Sequence, residues 1–234
     1  MSMLYQVALL QSLVNGYYDG IISVKKLKEL GDVGIGTFDG ANGELIYLDS
    51  KVYRARIDGE VEEVDDNETI PFCNSCKFSV DGNVKLSAQT VITLKTVLNR
   101  YRDRDYKNLF IAFRIKGLFK KMVVRTIPKQ NKPYNPLEKV VENDQKIFNY
   151  KNVEGTIIGF LFPRYMSDLN TTDCHMHFLS DDRKCGGHVL DLEFDNLNLE
   201  LSIKKEFKLI LPNNDKFNNY NVVINKNVMK KVEE

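Results

Sequence analysis

CHMHFLSDDRKCGGHVLDLEF, residues 174–194, holds all three histidines of the chain, His175, His177 and His188. CHMHFLS and GGHVLDLEF read as two strands, and SDDRKC between them is made of turn residues. Side chains alternate across a strand, so the HxH pair sets both imidazoles on one sheet face, and His188 returns past the turn to complete a set. Three neutral nitrogen donors leave one coordination position open. Structural zinc is usually closed by four protein ligands, whereas a catalytic site keeps three and leaves the fourth position to water or substrate. The pattern predicts a metalloenzyme site on hairpin-linked strands. Two other readings stand beside it. In one, His175 and His177 are half-buried strand residues and His188 follows Gly186-Gly187 for backbone reasons. In the other, Cys174 and Cys185, which flank the histidines, or Cys73 and Cys76, which form a CxxC, complete a mixed structural zinc site. Its spacing is poor, because Cys174 points to the face opposite His175 and the CxxC lacks a second CxxC or HxxxH.

The flanking sequence continues the same pattern. LNLELSI has the strongest alternation in the chain, with Leu197, Leu199, Leu201 and Ile203 on one face. Upstream, GTIIGFLFP reads as a buried strand and LEKVVENDQKIFNY as a helix. PKQNKPYNP sets three prolines in nine residues, which excludes regular structure. It marks the expected crossing between an N-terminal α/β domain, residues 1–127, and a C-terminal α/β domain, residues 128–234, that carries the histidines. LFIAFRIKG and LFKKMVVRTI are expected to pair across Lys116-Gly117, preceded by a helix over about 87–102. GDVGIGTF, GELIYLD and KVYRARIDG read as consecutive strands, with Asp39-Gly40 and Asn42-Gly43 accepting positive φ between the first two. Ser23 caps a short helix, VKKLKEL, and Ser2 caps a first helix running from Leu4 to Asn15. Helices interleaved with hairpin-linked strands predict an α+β fold of two packed mixed or antiparallel sheets, with the metal site in the C-terminal half. The Gly-rich GDVGIG precedes strands and lacks a P-loop lysine, so phosphate cradling is not expected.

Composition narrows the partners. With 43% hydrophobic and 28% charged residues over 234 positions, the chain reads as an ordinary globular protein. Its 33 basic and 32 acidic residues leave a net charge of +1, which offers no footprint for nucleic acid or an anionic membrane and suits a small polar substrate. The first twenty residues lack a basic n-region and a cleavage site, and no apolar run reaches membrane-spanning length. Four cysteines without a secretory signal are expected as reduced thiols in a cytoplasm.

GFLFPRYMSDLNTTDCHMHFLSDDRKCGGHVLDLE, residues 159–193, resembles the signature of the alpha-acetolactate decarboxylase family. The shared elements are Phe-Pro-x-Tyr, the HxH, the serine-aspartate-aspartate-arginine turn and the GGHVLD strand. GIGTFDGANGELIYLDSKVYR (residues 34–54) and RTIPKQNKPYNPL (residues 125–137) resemble two further family segments. Departures are local: Cys174 stands where an aromatic residue is usual, and the CxxC lies outside the pattern. The resemblance implies one Zn2+ per chain held by His175, His177 and His188. It nominates Glu44, Arg125 and Glu233 as catalytic groups, with Glu233 favoured over its neighbour Glu234, and Thr37 with Arg125 as substrate-binding groups. The implied reaction converts (S)-2-acetolactate to (R)-acetoin and CO2, through a metal-stabilised enediolate protonated by a glutamate, in acetoin and butanediol biosynthesis. 2-Aceto-2-hydroxybutyrate is a candidate second substrate, and a cytoplasmic homodimer is expected. Two rivals remain: a cupin-like metal-dependent oxygenase or isomerase, and a non-enzymatic structural-zinc domain. Cupins usually carry a glutamate soon after the HxH, where this chain has only Asp181 and Asp182.

Overall fold

Strands outweigh helices in the chain. The computed structural model describes residues 2–233, apart from the side chains of Lys226, Lys230 and Glu233. From the N-terminus run β1 (Met3–Val7), α1 (Leu10–Val14), β2 (Ile22–Ser23), α2 (Val24–Leu30), β3 (Val33–Thr37), β4 (Glu44–Leu48) and β5 (Lys51–Ala55). β6 (Val61–Glu63), β7 (Thr69–Ile70), β8 (Phe72–Cys76), β9 (Gly82–Ala88), α3 (Val91–Asp105), β10 (Phe110–Thr126) and α4 (Leu137–Asp144) follow. β11 (Lys146–Leu161), β12 (His175–Ser180), β13 (Gly186–Lys204), β14 (Glu206–Ile210), α5 (Asp215–Asn218) and α6 (Lys226–Glu233) complete the order.

Two large sheets result. The first has the strand order β14-β1-β8-β3-β4-β5-β6 and is antiparallel except where β1 runs parallel to β14. The second has the order β10-β11-β12-β13-β9, and β10 also pairs with β13, closing four strands into a ring. Inside the ring Phe119 meets Phe178 and Phe194 edge-on at 5.5 and 5.6 Å, within a core that α3 covers through Leu94 and Leu98. Between the sheets, Ile35, Ile46 and Ala55 of the first pack against Ala112, Ile158 and Phe160 of the second. A third apolar cluster joins α1, α4 and α6 over Phe72 and Ile127.

The expected α+β class with mixed and antiparallel sheets is what the chain forms, and β3, β4, β5 and α2 lie where expected. Gly40 and Gly43 take φ of 72° and 77° between β3 and β4. Other elements differ. Met3–Val7 is a strand held between β14 and β8, and Ala8 at φ 57° separates it from α1, so the first helix shortens to Leu10–Val14. Helix α3 begins at Val91 because Thr90 caps it, accepting from the Thr93 amide at 3.2 Å. Helix α4 ends at Asp144, and KIFNY enters β11, where Phe148 and Tyr150 stack in parallel at 6.4 Å.

No hairpin forms at Lys116-Gly117. β10 runs through as one strand of 17 residues. Gly117 adopts φ 148°, and a Cβ there would come 2.4 Å from Leu197 Cδ2, so the glycine lets the strand bend under a neighbouring side chain rather than turn. GGHVLDLEF and LNLELSI likewise fuse into the single strand β13. β10 pairs with β11 and β13, so the second sheet has strands on both sides of residue 127, and the chain changes sheet between Cys76 and Gly82 and returns to the first sheet between Lys204 and Glu206. Gly117→Ala is expected to destabilise the fold by about 1–3 kcal/mol, because the backbone there is open essentially to glycine alone. The check is a lowered urea midpoint at unchanged m-value.

Candidate active site and metal centre

The site begins with the turn between β12 and β13. Ser180 organises it: its amide donates to the Cys185 carbonyl at 2.8 Å, and its Oγ accepts from the Cys185 amide at 2.9 Å. The same Oγ donates to Asp182 Oδ1 at 2.6 Å. Gly187 then passes close to β10 at φ 148°, where a Cβ would sit 2.6 Å from the Arg125 carbonyl oxygen. The glycine pair before His188 therefore has a backbone role as well.

A β-bulge sets the facing of the site. Along β10–β13, Val123 pairs with Asp191 but Val124 pairs with Val189, so Leu190 is an extra residue. Val189 and Leu192 consequently both enter the ring core although three residues apart, and His188 stands opposite Arg125. His188 is in turn opposite His177 on β12. Arg125, His188 and His177 thus form a row across three adjacent strands, and His175 joins it two residues from His177 on the same face. All four are buried.

One donor atom from each histidine lies within 4.8 Å of the others, and His175 Nε2 is 3.2 Å from His177 Nε2. His177 Nδ1 donates to the Leu45 carbonyl of β4 at 2.8 Å, which fixes its tautomer and leaves Nε2 as a lone-pair donor. Burial, aided by the positive charge of Arg125, pushes the His175 pKa down to about 3. Burial holds His177 and His188 well below the ordinary histidine value, with neighbouring histidines and Arg125 adding to the effect. The imidazoles are therefore neutral, the form that binds a metal. Three converging neutral nitrogens and no fourth histidine fit a divalent metal with an open side.

The facing sheet supplies the rest. Thr37 and Glu44 are opposite one another on β3 and β4, and Thr37 Oγ1 donates to the Gly43 carbonyl at 2.7 Å, tying down the turn that delivers Glu44. Glu44 is 7% exposed, where a glutamate after a turn is ordinarily solvated, and its Oε2 lies 3.5 Å from His177 Nε2. Arg125 Nη2 donates to the Val232 carbonyl of α6. Thr37, Glu44, Arg125, His175 and His188 line one side of an enclosed cavity of about 30 Å3. Leu10 and Leu13 of α1, Leu137 and Val141 of α4, and Val232 of α6 line the other. The Glu233 side chain lies outside the described residues, as does Glu234.

Sequence reasoning found the histidines directly and reached Thr37, Glu44 and Arg125 through resemblance. It missed the Leu45 carbonyl, a backbone atom with no residue-type signal, and the helical wall, whose spacing identifies helices but not what they cover. None of the cysteines joins the histidine cluster among the described residues. Cys174 lies in the ring core on the face away from His175. Cys73 and Cys76, three apart on β8, enter different cores, and burial pushes both thiols up to about 12. A CxxC in a strand is no chelate, and this removes the mixed cysteine–histidine zinc site.

The depressed histidine pKa values carry a stability consequence. The unfolded chain titrates its histidines near 6.5, so below that pH it binds protons that the folded, metal-free site excludes. Stability from this source is complete above pH 6.5 and is lost as pH falls toward the folded-state value, about 3 for His175. Chelator-treated protein is expected to show urea midpoints that fall steadily between pH 7 and 5, and His188→Gln should flatten the slope. A flat profile in the parent would contradict the burial argument.

The chain matches known proteins over nearly its whole length. The sequence profile of the family described as Alpha-acetolactate decarboxylase matches residues 4–223. The Bacillus subtilis (strain 168) alpha-acetolactate decarboxylase is 40% identical over 222 residues, 94% of this chain and 86% of that protein. A Methanosarcina mazei relative of the same name is 36% identical over 233 residues, 99% of this chain and 79% of that one. The crystal structure of the B. subtilis strain 168 enzyme superposes with a TM-score of 0.91 at 39% identity, covering 99% of this chain and 98% of that chain. On this agreement of sequence and fold, the chain belongs to the alpha-acetolactate decarboxylase family.

Proposed function

We propose that this protein converts (S)-2-acetolactate to (R)-acetoin and CO2, with 2-aceto-2-hydroxybutyrate as a second substrate. It would work as a cytoplasmic homodimer in acetoin and butanediol formation. The observation that carries the reading is a neutral, open-sided three-histidine cluster enclosed with Glu44 and Arg125 in a chain of this family. His175, His177 and His188 would hold the metal, read as Zn2+. When bound, it supplies Lewis-acid stabilisation of the negative charge that CO2 loss leaves on adjacent substrate oxygens.

Arg125 orients the substrate. Its planar donor fork matches a carboxylate or a pair of polarised oxygens, and its place beside His188 directs it at the same face of the cavity. Glu44 handles the proton. It reaches the cavity from the opposite sheet, so as a carboxylic acid it delivers hydrogen to one face of the enediolate carbon, which makes the product chiral. Glu233 is a second carboxylate for this step. Thr37 acts through the Gly43 carbonyl to hold the turn from which Glu44 projects. The helical wall of α1, α4 and α6 excludes water, so protonation falls to a positioned acid.

Metal-loaded protein mixed with racemic acetolactate is expected to release CO2 and form one acetoin enantiomer, and a chelated control should not. Acetoin at the spontaneous background rate, or oxygen uptake in its place, would refute the reading. Glu44→Gln should keep its metal and lose turnover by about 10²–10⁴-fold. Arg125→Lys should lower kcat/KM, since an ammonium cannot make the bidentate contact. His177→Ala should lose the metal by elemental analysis, while Cys174→Ser with Cys185→Ser should retain it.

A further inference from the structure

We infer that Leu137 and Val141 of α4 form the wall against which the alkyl group on the substrate's C2 rests, and that they set the length of alkyl group accepted. The inference rests on the proposed decarboxylation and adds the residues that choose between substrates. The cavity is divided chemically. Its ionisable and hydroxyl groups all come from strands, while the helices contribute only Leu10, Leu13, Leu137, Val141 and Val232; apolar Ala41, Phe72 and Ile127 also line it. A 2-hydroxy-3-oxo acid has the same division, with its oxygens on one side and its alkyl groups on the other. Oxygens turned to the histidines and Arg125 leave the C2 alkyl group facing the helices.

Volume makes that wall decisive. The cavity is narrow, with about 30 Å3 open to the centres of water molecules. The strand side is fixed by continuous antiparallel pairing, through Thr37 with Glu44 and Arg125 with His188 with His177. The helical side is joined by side-chain packing and can give. Within it, α6 is occupied near Arg125, whose Nη2 meets the Val232 carbonyl. Helix α4 offers two lining residues at i and i+4, on one face. Leu137 and Val141 retain 6% and 9% exposure, so both lining residues of α4 lie toward the surface, whereas of the two on α1 Leu13 keeps 7% and Leu10 only 1%. Val140, between Leu137 and Val141 at 1%, joins the helical cluster without lining the cavity.

The experiment measures kcat/KM for 2-acetolactate and for 2-aceto-2-hydroxybutyrate, which carries ethyl in place of methyl, on metal-loaded protein. Val141→Ala is expected to raise the ethyl-to-methyl ratio about tenfold, the effect of one methylene in a tight apolar pocket, and alanine keeps the helix. Leu137→Ala should shift it in the same direction and Val141→Phe in the opposite one. Val140→Ala removes more deeply buried carbon from the same helix and should lower Tm while leaving the ratio at its parent value. An unchanged ratio in both Val141→Ala and Leu137→Ala, or an equal change in Val140→Ala, overturns the inference and leaves the proposed function standing. A parent protein that decarboxylates neither substrate overturns both.

Discussion

The pairing of β10 with β13 is the constraint on which the rest depends. It closes the second sheet into a ring, encloses an aromatic-rich core and sets Arg125 beside His188. The single extra residue at Leu190 decides which way the end of β13 faces. In a regular register Arg125 would stand opposite Val189, and the strand could not send Val189 and Leu192 into one core. A packing requirement and a chemical one are thus met by the same irregularity. The glycines before His188 serve it too, since the strands approach closely only without a Cβ at Gly187.

Legibility in the sequence followed the range of the signal. The HxH and the later histidine could be read because alternation and a tight turn are local, and local rules fixed their common face. The strands around Glu44 were readable for the same reason, through the glycines at 40 and 43. Gly117 shows the limit: a glycine between apolar runs signals a turn, yet here it accommodates Leu197, a residue far along the chain. The first strand was hidden because Gln6 is buried beside Leu4 and Val7. There it donates to the carbonyls of Ala8 and Leu169, and a buried polar residue erases the alternation that marks a strand.

The candidate site divides in the same manner. The clustered histidines come from one hairpin and have a sequence signature, whereas Glu44 and Arg125 are ordinary charges until the fold buries them. Resemblance supplied those two residues, and the structure supplies the physical reason they stand together: β4 of one sheet faces the His-bearing strands of the other. The apolar wall came only with the fold, because nothing in LEKVVEND says which surface its apolar face covers.

The hydrogen bond from His177 to Leu45 has a wider consequence. It anchors an imidazole of the candidate metal cluster in one sheet to the backbone of the other, so affinity for an ion held there would be thermodynamically linked to the cohesion of the two layers. Whatever loosens the packing of Ile46 against Ile158 would also weaken the grip on such an ion, by reciprocity. Tuning of metal retention in such a protein need not touch a ligand; it can be done from the seam between the layers.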